Sequence, residues 1–166
     1  MFKFLWSTTW GQALMTLLIS MVPIIELRGA IPIGYAAGLN LWVAIPVAII
    51  GNLLPIPFIL IFIKKIFAWM RKISPKLNGI VDKMEAKAEK NKEKILRHAF
   101  WGLVLFVAIP LPGTGAWTGA LVAAMLDMPL KKAFPCIALG VLIAGALISF
   151  ITAVFGYAAA KMIFGL

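Results

Sequence analysis

The stretch Pro110-Leu111-Pro112-Gly113-Thr114-Gly115-Ala116-Trp117-Thr118-Gly119 constrains this chain more than any other. It lies in the middle of an uncharged run that begins after Arg97 and ends before Asp127. Pro110 and Pro112 remove backbone donors and clash with the preceding turn, while the glycines permit positive φ, so a straight helix cannot pass through. The flanking arms, His98–Ile109 and Ala116–Leu126, would each rise roughly 17 Å at 1.5 Å per residue, about half the thickness of a hydrocarbon core. That arithmetic predicts a helical hairpin that dips into the membrane and returns. Broken backbone at such depth is tolerated only where it is buried in protein or lines a wet cavity. A transport site is therefore the functional expectation, with a Pro-kinked ordinary span as the alternative.

A membrane setting follows from composition. Of 166 residues, 63% are hydrophobic and 13% charged, and the mean hydropathy is +1.01, which places the chain among polytopic membrane proteins forming one domain. A net charge of +10 would fit a nucleic-acid partner, but eleven of the sixteen Lys and Arg residues fall between Lys64 and Arg97. Positive charge concentrated between apolar halves marks a cytoplasmic loop, so no nucleic-acid partner is expected. Cys136 is the only cysteine and His98 the only histidine; no disulfide, metal or cofactor site is expected from them. The N-terminal apolar run carries Glu26 and Arg28 where a cleavage site would be and is read as retained rather than as a signal peptide.

Residues 4–25 are uncharged but too short in their apolar core to cross, and are followed by Glu26-Leu27-Arg28-Gly29-Ala30-Ile31-Pro32. A break is expected near residues 38–41, around Gly38 and Asn40, after which Leu41–Ile63 is long enough to cross. In the loop 64–97, Ser74-Pro75 reads as a helix start. Asp82, Glu85, Glu89 and Glu93 form one stripe, Lys83, Lys87, Lys90 and Lys94 a second, and Leu77, Val81, Met84 and Ala88 a thin apolar third. This predicts a solvated or membrane-surface helix, with anionic-lipid binding as the alternative. Ala133–Ala160 is again long enough to cross.

An offset of 89 residues superposes Ala44 on Ala133, Pro46 on Pro135, Gly51 on Gly140 and Leu53 on Leu142. A short broken apolar element followed by a long one thus occurs twice, which predicts an internal duplication. If both broken elements are re-entrant, Lys131 and Lys132 stay on the side of the basic loop and the halves become inverted repeats. The expected fold is an all-α membrane protein: residues 1–63 as first repeat, 64–97 as basic cytoplasmic helical linker and 98–166 as second repeat. Each repeat is a re-entrant helical hairpin plus a transmembrane helix.

The Glu26–Pro32 motif, Gly51-Asn52 downstream and Pro110–Trp117 in the second half together resemble the small multi-drug export protein family. That family resembles, more distantly, the DedA (VTT, SNARE-associated) superfamily. The resemblance covers essentially the whole chain. It implies two re-entrant hairpins facing each other, residence in the cell (plasma or inner) membrane as a multi-pass protein, and transport, with DedA relatives linked to moving phospholipid or polyprenyl phosphate and to proton-coupled export. No Arg follows Arg97, so the second hairpin departs from the DedA arginine motif.

The candidate substrate or proton site combines Glu26, Arg28, Gly29 and Pro32 of the first motif with Asn52, Pro110, Pro112, Gly113, Thr114, Gly115, Trp117 and Thr118. Glu26 and Arg28 are the only charges between Lys3 and Lys64; deep in a bilayer such groups pair, line water or act. At the second tip, Gly113, Thr114, Gly115 and Thr118 supply N–H groups and hydroxyls where a half-helix begins, a setting that attracts anions. Trp117 would wall the site, and Asn52 would hydrogen-bond across the repeat or sit satisfied in the core. No nucleophile–base pair or phosphate loop is present, so an enzyme is not expected. Three functions stay open. The first is translocation of a lipid-linked or amphiphilic phosphate held between Arg28 and the glycine turn. The second is proton-coupled export of small cationic drugs through Glu26. The third is a structural membrane factor without substrate. Membrane lipid is the expected surrounding partner, and a homodimer is an open arrangement.

Overall fold

The structure, a computed structural model, describes residues 7–73, 78–79, 81–83, 86, 99–111 and 113–164. Helices account for almost all of them, with no strand among the described residues. Among the described residues seven helices are seen: α1 (Thr9–Ser20), α2 (Glu26–Ala36), α3 (Leu41–Leu53), α4 (Ile56–Ile73), α5 (Ala99–Ala108), α6 (Ala116–Met125) and α7 (Leu130–Phe164).

Local chemistry sets most of these boundaries. Thr8 opens α1, its side chain accepting the Gly11 N–H at 3.2 Å, and Asn40 opens α3 by accepting the Trp42 N–H at 2.9 Å. Both are side-chain N-caps satisfying one of the free donors of a first turn. Helix α2 stops where Gly38 turns to φ 96°, allowing the Leu39 N–H to reach back to the Gly34 carbonyl, a Schellman closure. Helix α6 stops in the same way: Asp127 takes φ 55° and the Met128 N–H returns to Ala123.

Two helical stretches are long and apolar enough to cross a membrane, Leu41–Ile63 and Leu130–Gly156. In the apolar 18-residue window of each, only 28% and 44% is buried inside the protein, so most of each stretch faces away from the chain's own core. Helix α4 does not end with the apolar run at Ile63 but continues to Ile73. Its charged extension stays helical because Lys65, Arg71 and Lys72 point outward while Phe67 is buried. Part of the loop returns to this extension: Val81 is fully buried and Arg71 pairs with Asp82 at 2.8 Å. The expected helix start at Ser74-Pro75, along with Leu77, Met84, Glu85 and most of both charge stripes, lies outside the described residues.

The two halves run in register. Helices α2 and α6 start at Glu26 and Ala116, and α3 and α7 at Leu41 and Leu130, each pair 89 or 90 residues apart. The positive-φ residues fall in step as well, Glu26 with Gly115 and Gly38 with Asp127. Packing repeats with the same offset: α1 lies on α3 and α5 on α7, each across a glycine. A Cβ on Gly51 would meet the Leu17 carbonyl at 2.5 Å, and one on Gly140 would meet the Val104 carbonyl at 2.8 Å. Between halves, α2 packs on α7 and α6 packs on α4, so each short helix is seated against the other half's long one. The core that results is formed by Leu27, Ala30 and Ile31 of α2, Val104 and Val107 of α5, Ala120 to Ala123 of α6, and Ile137, Val141 and Ile148 of α7.

Candidate functional site: a charged junction between two helix starts

The first residues of α2 meet the break between α5 and α6. Gly115 is the N-cap of α6, with φ 130° and ψ −175° and no side chain to cap the first turn. The unpaired donors of that turn are met from the other half. Glu26 accepts the Ala116 N–H on Oε2 at 3.3 Å and the Trp117 N–H on Oε1 at 3.1 Å. Its side chain is almost wholly buried, at 4% exposure. A carboxylate here gains both the hydrogen bonds and the positive end of the helix dipole. The approach is so close that a Cβ on Gly115 would run into the Glu26 carboxylate, so glycine is required both for its φ and for the space.

Arg28 serves the opposite helix end. Its Nη1 donates to the Leu111 carbonyl at 2.6 Å. Its Nη2 lies 3.2 Å from the Ile109 carbonyl, 3.1 Å from Thr114 Oγ1 and, at the outer limit, 3.4 Å from the Val107 carbonyl. These acceptors lie where α5 ends, at the negative pole of that helix. Thr114 adds its own closure, its hydroxyl within 2.8 Å of both the Ile109 and Leu111 carbonyls. Two residues apart on one helix, an acid thus holds the positive start of α6 and a base the negative end of α5.

Glu26 reaches this position at a backbone cost. It adopts φ 52°, a left-handed conformation unfavourable by roughly 1–2 kcal/mol for a residue with a Cβ. Residues forced into such regions cluster where function needs them.

The structure therefore brings Glu26, Arg28, Thr114, Gly115 and Trp117 together, as the sequence leads one to expect, and rearranges their roles. The donors expected to receive an anionic headgroup, Arg28 and the α6 N–H groups, are bonded to the chain's own carbonyls and carboxylate. Pro110 and Gly113 belong to the connecting turn, where Gly113 takes φ 85°; Pro112 lies outside the described residues. Gly29 and Pro32 are buried on α2, and the half-buried Thr118 follows Trp117 on α6. Asn52 forms neither of its expected hydrogen bonds: it is fully buried, and both amide atoms lack a partner. The buried indole Nε1 of Trp117 is likewise unpaired. Polar contacts the sequence does not signal brace the first half, namely Ser20 Oγ to the Ala48 carbonyl at 2.5 Å and Gln12 Nε2 to the Ala37 carbonyl at 2.7 Å. No group of His, Cys, Asp and Glu suited to a metal occurs among the described residues.

Helices long and apolar enough to span, together with a buried acid and a half-buried base at broken helix ends, point to a membrane protein with a polar junction inside it. The chain belongs to the family described as "Putative small multi-drug export protein", whose model matches residues 26–147. That match begins at Glu26 itself and takes in both halves of the junction. No curated protein and no solved structure matches the chain.

Proposed function

We propose that this protein is a proton-coupled exporter of small cationic amphiphiles, with Glu26 as the group that exchanges a proton for the substrate. One observation carries the reading: the buried carboxylate of Glu26 is the hinge pin between the halves, bonded to the start of α6 some 90 residues away. While ionised, Glu26 holds that helix start. When it takes up a proton, it loses its charge and with it most of its attraction for the α6 N–H groups and dipole. The junction then loosens, and on deprotonation the carboxylate is free to choose between the helix start and a substrate cation. The family's description as multi-drug export fits this reading. A lipid-linked phosphate fits less well, because the donors it needs are already bonded within the chain. A purely structural factor leaves the strained backbone of Glu26 without a purpose.

The architecture we propose for this task is the inverted repeat of two re-entrant hairpins in a multi-pass inner-membrane protein, as the resemblance to the DedA superfamily also implies. Three features support it. The connecting turns carry exposed apolar side chains, with Ile24 93% exposed and Ile109 and Leu111 about half exposed, which suits turns that lie at lipid depth. Exposed tryptophans stand at helix ends that the arrangement assigns to the two interfaces: Trp10 and Trp42 on one, Trp69 and Trp101 on the other. Finally, Glu26 touches Gly115, its own counterpart at an offset of 89 residues, and residues that touch their counterparts lie on a two-fold axis.

The test is ethidium accumulation in everted vesicles whose lumen has been made acidic, since an exporter works inward there. Wild-type protein is expected to move ethidium against its gradient. Glu26→Gln, which keeps the size and removes the titrating group, and Arg28→Ala are expected to abolish movement while inserting normally. Wild-type rates in both variants would end the proposal.

A further inference from the structure

Asn52 is the central residue of the first span, eleven residues from either end of Leu41–Ile63, and is fully buried. Its amide carries two donors and an acceptor, and neither the nitrogen nor the oxygen has a hydrogen-bond partner. Buried polar groups are ordinarily paired, and an unpaired one in native structure calls for an explanation. Neighbouring polar groups do not supply one. On the same helix the Ala48 carbonyl is taken by Ser20. The hydroxyls of Thr16, Ser149 and Thr152, buried in the helices against which α3 packs, each bond back to their own helix.

The other half of the molecule acts as an internal control. At the offset that pairs Gly51 with Gly140, Asn52 pairs with Val141, which is also fully buried. Both glycines do the same job, bringing the long helix against the backbone of a hairpin arm. The matching place in the second half is thus filled by a branched aliphatic side chain of similar volume, and packing there needs no amide. An unpaired amide at that point lowers stability, which is the signature of a group kept for activity.

We propose that Asn52 is a substrate-binding residue, whose amide receives a hydrogen-bonding group of the transported cation when the halves separate. The assignment rests on the export reading above and adds a second contact to it: Glu26 supplies charge, Asn52 supplies neutral hydrogen-bond selectivity at the middle of the span. An amide suits a path that substrates must leave, since it brings no second charge to hold the cation fast. The structure is then the closed state, in which Asn52 is sealed from both sides of the membrane.

Three measurements decide it. In thermal unfolding of purified protein, Asn52→Val is expected to match or exceed the wild-type Tm; a lower Tm would mean that the amide stabilises the fold and would overturn the proposal. In membranes, the thiol introduced by Asn52→Cys, in a Cys136→Ser background, is expected to react with a small cationic methanethiosulfonate reagent, because the position opens to water during the cycle. Complete protection of that thiol would also overturn it. For ethidium, Asn52→Val is expected to raise KM at least tenfold with little change in the maximal rate, and Asn52→Thr, which has valine's shape with a hydroxyl, to recover part of the loss; equal behaviour of the two variants would remove the hydrogen-bonding role. Failure of the wild-type protein to move ethidium would end the export reading, while the stability and labelling results would still judge Asn52.

Discussion

Removing the Glu26 carboxylate should unlatch α6 from the first half, and the geometry sets how much each variant loses. The two N–H groups go to different oxygens, Ala116 to Oε2 and Trp117 to Oε1. Glutamine retains one acceptor and turns its NH2 toward the other N–H, leaving one donor unsatisfied. Alanine leaves both. Ala116 is fully buried, so water does not readily take over. An unsatisfied buried donor costs about 1–3 kcal/mol, which gives about 1–3 kcal/mol for Glu26→Gln and about 2–6 kcal/mol for Glu26→Ala. At roughly 2–4 °C per kcal/mol for a chain of this size, the two variants should melt several degrees apart, alanine below glutamine and both below wild type. Thermal unfolding in detergent, followed by tryptophan fluorescence, reads this directly, since Trp117 sits on the junction. Glu26→Gly adds a control: it relieves the φ 52° backbone while emptying the carboxylate position, and added formate should raise its Tm by binding the exposed helix start. Equal melting of the Gln and Ala variants with wild type would refute the capping argument, since no buried donor would then have been stranded.

Two further outcomes test the architecture. Cysteine labelling in a Cys136→Ser background should find positions 72 and 131 on the cytoplasmic side and position 40 outside; positions 40 and 131 on the same side would make the repeats parallel rather than inverted. Gly51→Ala and Gly140→Ala should each lower stability by about 1–3 kcal/mol through overpacking, because each Cβ meets backbone of the neighbouring arm; a neutral result at either site in a melting experiment would show that the arms are not held where the structure places them.

Much of this arrangement is legible before the structure because prolines, glycines and isolated charges are strong local signals. The break between α5 and α6 follows from Pro110, Gly113 and Gly115, and the 89-residue offset of four identities recurs in the spacing of the helix starts Leu41 and Leu130. What sequence does not reveal is direction. Counting charges identifies Glu26 and Arg28 as special but does not show that they face peptide groups of α6 and α5 instead of a ligand, because backbone donors have no letter in the sequence. The same limit applies to Asn52: its type says that it can bond, and only the fold shows that nothing is within reach. Asp127 looks like an interfacial charge, yet its φ of 55° makes it the helix stop, a role glycine plays at the matching position 38. The end of α4 is misplaced by reading Lys64 as a boundary, since a helix crossing an interface changes its chemistry without changing its backbone.

The proposed two-fold arrangement also accounts for a one-sided chemistry. At the offset of 89 residues, Glu26 stands opposite Gly115, Arg28 opposite Trp117 and Asn52 opposite Val141. Each of these three residues faces a position that lacks its charge or amide in the second half. An arrangement with acids in both halves would set two carboxylates beside the axis, where like charges at close range resist joint ionisation. With glycine on one side, the space beside the axis admits a single carboxylate, and that carboxylate finds bare N–H groups rather than a rival charge. The first half therefore carries the charged side chains of the junction, and the second carries the backbone groups they bond. Because α6 has no side-chain cap of its own, its start depends on a carboxylate from the other half, and under the proposed exchange a proton on Glu26 would be felt first at the start of α6.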